Sequence, residues 1–257
     1  MSSPHLPPEL LDRIVDLLRG TVLALRNCCL VSKSWVPRTR KHLFAYIRFI
    51  TAKDLQSWKK AFPDPSTSPA HYTKTLLIDC PEVFTAADAG DGSWIRGFSQ
   101  VERLEVNSAS SYANESAISL LPLHGLSPAL KYLRVIFAVL PSSRVFDLIL
   151  SFPLLHDLTV IAFYVSIDDG GGPNGSQAAQ PSSPPAFTGS LDICLKHGME
   201  PITRRLLSLP SGIHFRKLKL TWNHEQDLSL TTPLVEGCSG TLESLDITSN
   251  PFSTFVR

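Results

Sequence analysis

The sequence predicts an α + α/β chain: three short helices within the first fifty residues, then strand–helix repeats that share one parallel sheet. Two patterns and one absence carry this reading. Leu10, Leu11, Ile14, Leu17 and Leu18 recur at three- and four-residue spacing and make one apolar stripe on a helix. From residue 72 onward a motif of the form apolar-x-x-Leu-x-apolar returns, with central leucines at 76, 104, 133, 158, 191, 218 and 245. Motifs that would announce an enzyme do not appear: there is no Walker A, H-E-x-x-H or G-x-S-x-G.

The first helix opens at Pro7-Pro8, since proline suits a first helical turn whose N–H groups lack partners in any case. Glu9 and Asp12 favour the positive end of its dipole, and Gly20 ends it. A second short helix carries Leu25, Cys28 and Cys29. Ser32 is placed to cap a third, bearing Trp35, with Pro37 falling inside it as a kink. Three such helices bury little surface alone and need a partner or a neighbouring domain. Thr51-x-x-Asp54 reads as a capping box opening a bridging helix with Leu55, Trp58 and Phe62.

The order Leu6-Pro7-x-Glu9-Leu10, Ile14, Leu25, Val31-Ser32-x-x-Trp35, Leu43 resembles the F-box motif, and looks most like the F-box-like proteins expanded in mushroom-forming fungi. The resemblance implies docking onto the Skp-type adaptor of a cullin–RING ubiquitin ligase. By that analogy Leu6, Pro7, Leu10, Ile14, Leu25, Val31 and Trp35 carry the adaptor interface. Two departures stand out: Pro37 in the third helix, and a loop from Arg19 to Val22 without the acidic residue common before the second.

The repeat copies are Thr73-x-x-Leu76-x-Ile78, Val101-x-x-Leu104-x-Val106, Leu130-x-x-Leu133-x-Val135 and Leu155-x-x-Leu158-x-Val160. A weaker Thr188-x-x-Leu191-x-Ile193 follows, then Phe215-x-x-Leu218-x-Leu220 and Leu242-x-x-Leu245-x-Ile247. Successive leucines are 28, 29, 25, 33, 27 and 27 residues apart. The long gap holds the Gly-, Ser- and Pro-rich insert near 168–186, expected to be a disordered surface loop. Between strands, Ser142 or Ser143 caps a helix with Val145, Phe146, Ile149 and Leu150 on one face, stopped by Pro153; Ile202, Leu206 and Leu209 mark another. Each unit leaves a face that only its neighbour buries, so stacked units share a core. The region resembles an irregular leucine-rich-repeat scaffold of the kind found behind F-boxes, with Asn223 and Asn250 where the family's turn asparagine sits. The organisation expected is therefore an F-box-like helical module (1–50), a bridging helix and linker (51–71) and degenerate leucine-rich repeats forming a solenoid with a parallel sheet (72–257).

Bulk properties narrow the function. Apolar residues make up 43% and charged ones 18%, which excludes disorder as the main state. Residues 1–60 hold eleven Lys/Arg against four Asp/Glu, net +7, while the remainder is net −6. A basic N-terminal part suggests an acidic partner surface for it. Arg38, Arg40, Lys41 and His42 form a basic run without aromatics to stack bases, and are read as a solvated helix end rather than a nucleic-acid site. Five cysteines without a C-x-x-C pair suit buried thiols in a reducing compartment. With no signal peptide and no membrane span, the cytoplasm or nucleus is expected. Gly170-x-Gly172-x-x-Gly175 matches a dinucleotide fingerprint, but Pro173 spoils the helix that should follow. His156 and Asp157 are read as a surface pair. No catalytic residue, cofactor or metal is expected.

The functional expectation is a non-enzymatic, substrate-recruiting subunit of an SCF-type ubiquitin ligase. Outward strand positions Arg103, Glu105, Tyr132, Arg134, Asp157, Lys217, Lys219 and Asp246 would face the target protein. The alternative is a leucine-rich-repeat interaction scaffold with no ligase role, its N-terminal helices packed internally. Burial of Leu6, Leu10 and Ile14 favours that alternative; an exposed stripe favours the first reading.

Overall fold

The spaced leucines lie side by side. In the computed structural model, which describes residues 7–79, 92–108, 121–166, 185, 187–195, 199–209, 211–222 and 228–249, eight strands form one all-parallel sheet in sequence order. They are β1 (Tyr46–Phe49), β2 (Thr75–Ile78), β3 (Arg103–Ser108), β4 (Tyr132–Pro141), β5 (Asp157–Ser166), β6 (Ser190–Leu195), β7 (Lys217–Trp222) and β8 (Ser244–Ser249). The register pairs Leu76 with Leu104, Leu104 with Leu133, and so on through Leu158, Leu191, Leu218 and Leu245. A second inward row runs Phe49, Ile78, Val106, Val135, Val160, Ile193, Leu220, Ile247. Strand side chains alternate between faces, so a Leu-x-apolar pair puts both residues on the same side.

That side is covered by α5 (Ser142–Leu150), α6 (Met199–Leu207) and α7 (Leu228–Gly237), and nearer the start by 3₁₀ turns at Gly92–Gly97 and Leu121–Gly125. Val145, Phe146, Leu148 and Ile149 from α5, and Ile202 and Leu206 from α6, enter the same continuous core as the leucine ladder. Among the described residues of the early repeats, these 3₁₀ turns and the segments after them bury Trp94, Ile95, Phe98 and Leu123 on this side.

Before the sheet stand α1 (Pro8–Leu17), α2 (Val22–Val31) and α3 (Val36–Leu43). The expected single third helix is instead split. The Ser32 hydroxyl accepts the Ser34 amide at 3.3 Å and starts a 3₁₀ turn at Lys33–Trp35, and α3 begins afresh at Val36. Pro37 therefore lies in the first turn of α3, where its missing N–H breaks no bond, and it does not kink a helix interior. The bridging helix α4 (Ala52–Ala61) opens with the expected capping box: Thr51 Oγ1 accepts the Asp54 amide at 3.3 Å, and the Asp54 carboxylate accepts the Thr51 amide at 2.8 Å.

One strand falls outside the expected repeats. β1 pairs in parallel with β2, so the sheet starts at Tyr46, within the segment assigned to the helical module. Its Phe49 meets the rings of Trp58, Trp94 and Phe98 with centroids 5.9, 5.9 and 6.3 Å away, and Phe44 and Phe62 also pack on Trp58. The first end of the sheet is thus closed by an aromatic cluster. The glycine-rich insert near 168–186, with the fingerprint Gly170, Gly172 and Gly175, lies outside the described residues apart from Pro185. Leu6, Cys80, Asn223 and Asn250 also lie outside them.

Candidate interaction surfaces

The N-terminal helices present apolar side chains on two faces. In α1, Val15 is buried and Leu11 and Leu18 are half-buried, while Leu10, Ile14 and Leu17 point outward with exposures of 47%, 39% and 80%. The single stripe read from the sequence is two stripes, one inward and one outward. In α2, Leu25 and Cys28 are buried, and Val22, Leu23, Leu30 and Val31 are exposed. A monomer of this size rarely leaves so many large apolar side chains in water without a use for them.

The residues assigned to an adaptor interface therefore divide. Pro7, Leu10, Ile14 and Val31 are exposed and available to a partner. Trp35 is half-buried, in the turn before α3. Leu25 is 1% exposed, inside the module core, so it holds the helices together rather than meeting a partner directly. Leu17, which the sequence placed on the stripe but not in the adaptor set, joins the exposed residues, as do Leu23 and Leu30, which it did not single out. Their signal was present: α1 and α2 hold more apolar residues than one buried face can use.

The module is also tied electrostatically. Arg38 donates from both Nε and Nη2 to the two carboxylate oxygens of Asp16, the first at 2.7 Å, and His42 Nε2 lies 2.7 Å from Asp16 Oδ1. These hydrogen bonds, Arg38 first and His42 second, hold the Asp16 carboxyl far below the usual carboxylate range. The basic run at 38–42 is thus not simply a solvated helix end: Arg38 and His42 turn to α1, and only Arg40 and Lys41 are exposed. Arg13, Arg19, Arg26 and Lys33 are exposed as well, and outnumber the exposed acids Glu9 and Asp12 of the module.

The second surface is the sheet face opposite the helices, and all eight residues assigned to target contact lie on its outward positions. Arg103, Tyr132 and Asp157 are successive cross-strand neighbours, and Lys217 stands two strands beyond Asp157, next to Ser190 and Ser244. Glu105, Arg134, Lys219 and Asp246 occupy the next row, with Thr159 and Asp192 between them. Much of this charge is already paired. Arg134 lies 3.6 Å from Glu105 and Lys219 lies 3.4 Å from Asp192. The Arg103 guanidinium sits over the Tyr132 ring at 4.0 Å. Asp157 Oδ1 accepts the Ser190 amide at 2.7 Å and its hydroxyl at 2.6 Å. Lys217 and Asp246 have no ion-pair partner among the described residues.

A third row passes unnoticed in the sequence: half-buried Ile136, Ile161 and Cys194, adjacent on β4, β5 and β6. They sit three positions after the central leucines at 133, 158 and 191, which could have marked an apolar lane on the outward face. At the start of β5–β8, Asp157, Gly189, Ser190, Arg216, Lys217 and Glu243 line a depression of about 310 Å³. His156 and Asp157 do not face each other as a pair: His156 Nδ1 lies 2.9 Å from the Thr188 hydroxyl, while Asp157 serves Ser190.

Cys28 and Cys238 are buried and Cys29 and Cys194 half-buried, all as free thiols. Burial pushes the Cys194 and Cys238 thiols up. Among the described residues no cluster of His, Cys, Asp or Glu could hold a metal ion, and no helix is long and apolar enough to cross a membrane. Comparison with protein-family models, with curated proteins and with solved structures gave no match.

Proposed function

We propose that the chain is a substrate-recruiting subunit of an SCF-type ubiquitin ligase. In this reading its N-terminal helices are an F-box-like module that docks a Skp-type adaptor, and its sheet is an irregular leucine-rich-repeat solenoid that holds a target protein. The observation that carries the proposal is the exposure of Leu10, Ile14 and Leu17 on α1 and of Val22, Leu23, Leu30 and Val31 on α2. An apolar stripe on short helices suits a partner's groove, and an excess of exposed cations on the module speeds encounter with an acidic one. The stripe's exposure also speaks against the scaffold alternative, which needs these side chains packed within the monomer.

The chain performs no chemistry in this reading. It raises the local concentration of a target beside the ligase, so a slow bimolecular encounter becomes an effectively intramolecular one. The outward residues Arg103, Tyr132, Lys217 and Asp246, with the apolar lane of Ile136 and Ile161, are the proposed target surface.

Titration calorimetry of the full chain against a Skp-type adaptor tests the proposal, with Leu10→Asp plus Ile14→Asp as the control. The expected result is micromolar or tighter binding, weakened at least tenfold, about 1.4 kcal/mol, by the double change. Both side chains are exposed, so the variant should stay folded, as amide exchange in the sheet will report. Absence of binding by the folded chain removes the ligase reading.

A further inference from the structure

The two ends of the sheet are finished differently. At the first end, Ile47 and Phe49 are 7% and 3% exposed beneath the aromatic cluster. Through the middle, every inward leucine from Leu76 to Leu218 is at most 1% exposed. On β8 the same two inward positions, Leu245 and Ile247, rise to 44% and 38%.

The backbone of β8 is open as well. Ser244 donates its amide to the Arg216 carbonyl at 3.0 Å, which directs that residue's hydrogen-bonding groups toward β7. Direction alternates along a strand, so the N–H and C=O groups of Leu245 and Ile247 point to the free edge. Among the described residues nothing pairs with the peptide groups of those two residues at the edge, and their side chains are part-exposed on the inward face. An exposed edge of this kind is a template for another strand.

We propose that β8 is a docking edge for an extended segment of a partner protein, added in parallel as a ninth strand, with aliphatic residues alternating inward and Lys or Arg outward. Charge selects this occupant. The ionised groups that the last strand and its lead-in carry are Glu243 and Asp246, both acidic and exposed. Glu243 reaches back to Arg216 at 3.5 Å, and Asp246 has no ion-pair partner among the described residues. A second copy of the chain fits poorly: a two-fold axis would run β8 against itself, and Ser244–Ser249 contains no Lys or Arg to meet Asp246. Like charges facing each other across strands are unfavourable. Residues 250–257, which follow β8, hold Arg257 as their one Lys or Arg and so do not supply the alternating cations that this pattern asks for. The required pattern already exists on the other side of β8: Leu218, Lys219 and Leu220 of β7 oppose Leu245, Asp246 and Ile247. This edge is remote from the N-terminal helices, so the inference is independent of adaptor docking.

The test uses the full chain and a synthetic capped peptide, Arg-Lys-Leu-Lys-Leu-Thr, which copies residues 216–221. Amide exchange is followed at Leu245 and Ile247, and affinity by fluorescence anisotropy. The expected results are fast exchange at both amides in the free chain, slowing on peptide addition, and a Kd below about 1 mM. Asp246→Lys should weaken binding at least tenfold, and a peptide with Glu in place of its second Lys should recover binding to that variant. Four outcomes overturn the proposal: no binding; binding indifferent to Asp246→Lys; slow exchange in the free chain that becomes fast when residues 250–257 are deleted, since the chain then covers its own edge; or protection that appears only with self-association.

Discussion

Arg38 on α3 grips Asp16 on α1 through two parallel hydrogen bonds, and His42, one turn further along, takes the same carboxylate. Through these bonds one acid near the end of the first helix orders the third, across 22 and 26 residues of sequence. The contact sits beside the apolar stripe and fixes the angle at which the stripe is presented.

Acid should therefore loosen this contact. A carboxyl whose folded value is depressed contributes stability that is fully present above its unfolded value, near 3.9, and is lost as pH falls toward the folded value. The Asp16 contribution should be flat from neutral pH down to about 5 and decline below about 4. Amide exchange in α1 as a function of pH should show this, and Asp16→Asn should lower protection at pH 7 and flatten the acid limb.

Phe98 is fully buried and touches the rings of Phe49, Trp58 and Trp94. Phe98→Ala should cost about 3–5 kcal/mol in urea denaturation, the usual range for a buried aromatic truncated to alanine. The loss should also uncouple exchange in β1 from exchange in the rest of the sheet.

Gly189 has no room for a side chain. A Cβ there would lie 2.8 Å from the His156 carbonyl oxygen and press on the Asp157 carboxylate. Gly189→Ala should destabilise the chain by about 1–3 kcal/mol, because the backbone of β5 must shift to admit it. The denaturation midpoint should fall while the slope stays unchanged.

The Arg103–Tyr132 stack should be measurable as a coupling. A double-mutant cycle to alanine should give about 0.5–1 kcal/mol, the range for an exposed cation–π pair. A coupling near zero would mean the stack contributes nothing in solution.

Cys194 and Cys238 should alkylate slowly near neutral pH. Burial pushes both thiols up, so little of the reactive thiolate forms. Iodoacetamide labelling followed by mass spectrometry should show both rates rising in urea.

The sheet was legible because its signal is strictly periodic. Each Leu-x-apolar pair sits next to its counterpart, and all seven central leucines fall in one register. β1 escaped because Tyr46-Ile47-Arg48-Phe49 lacks the leucine, its inward positions being filled by Ile47 and Phe49. The helical module was legible in its elements but not in its faces. Leu25 and Leu23 are the same residue type two positions apart, yet one is buried and the other exposed. That difference depends on how three helices pack. Asp16 shows the same limit: nothing local to it announces Arg38 and His42, which only the fold brings near.

The aromatic closure at β1 has a geometric consequence. Because Phe44, Phe49, Trp58 and Phe98 interlock the helices with the first strand, the sheet behaves as a graduated ruler with its zero at the helical module. Adjacent strands stand about 4.8 Å apart, so β8 lies on the order of 34 Å from β1. In the proposed reading, the strand that a target touches sets how far it stands from an adaptor on the helices.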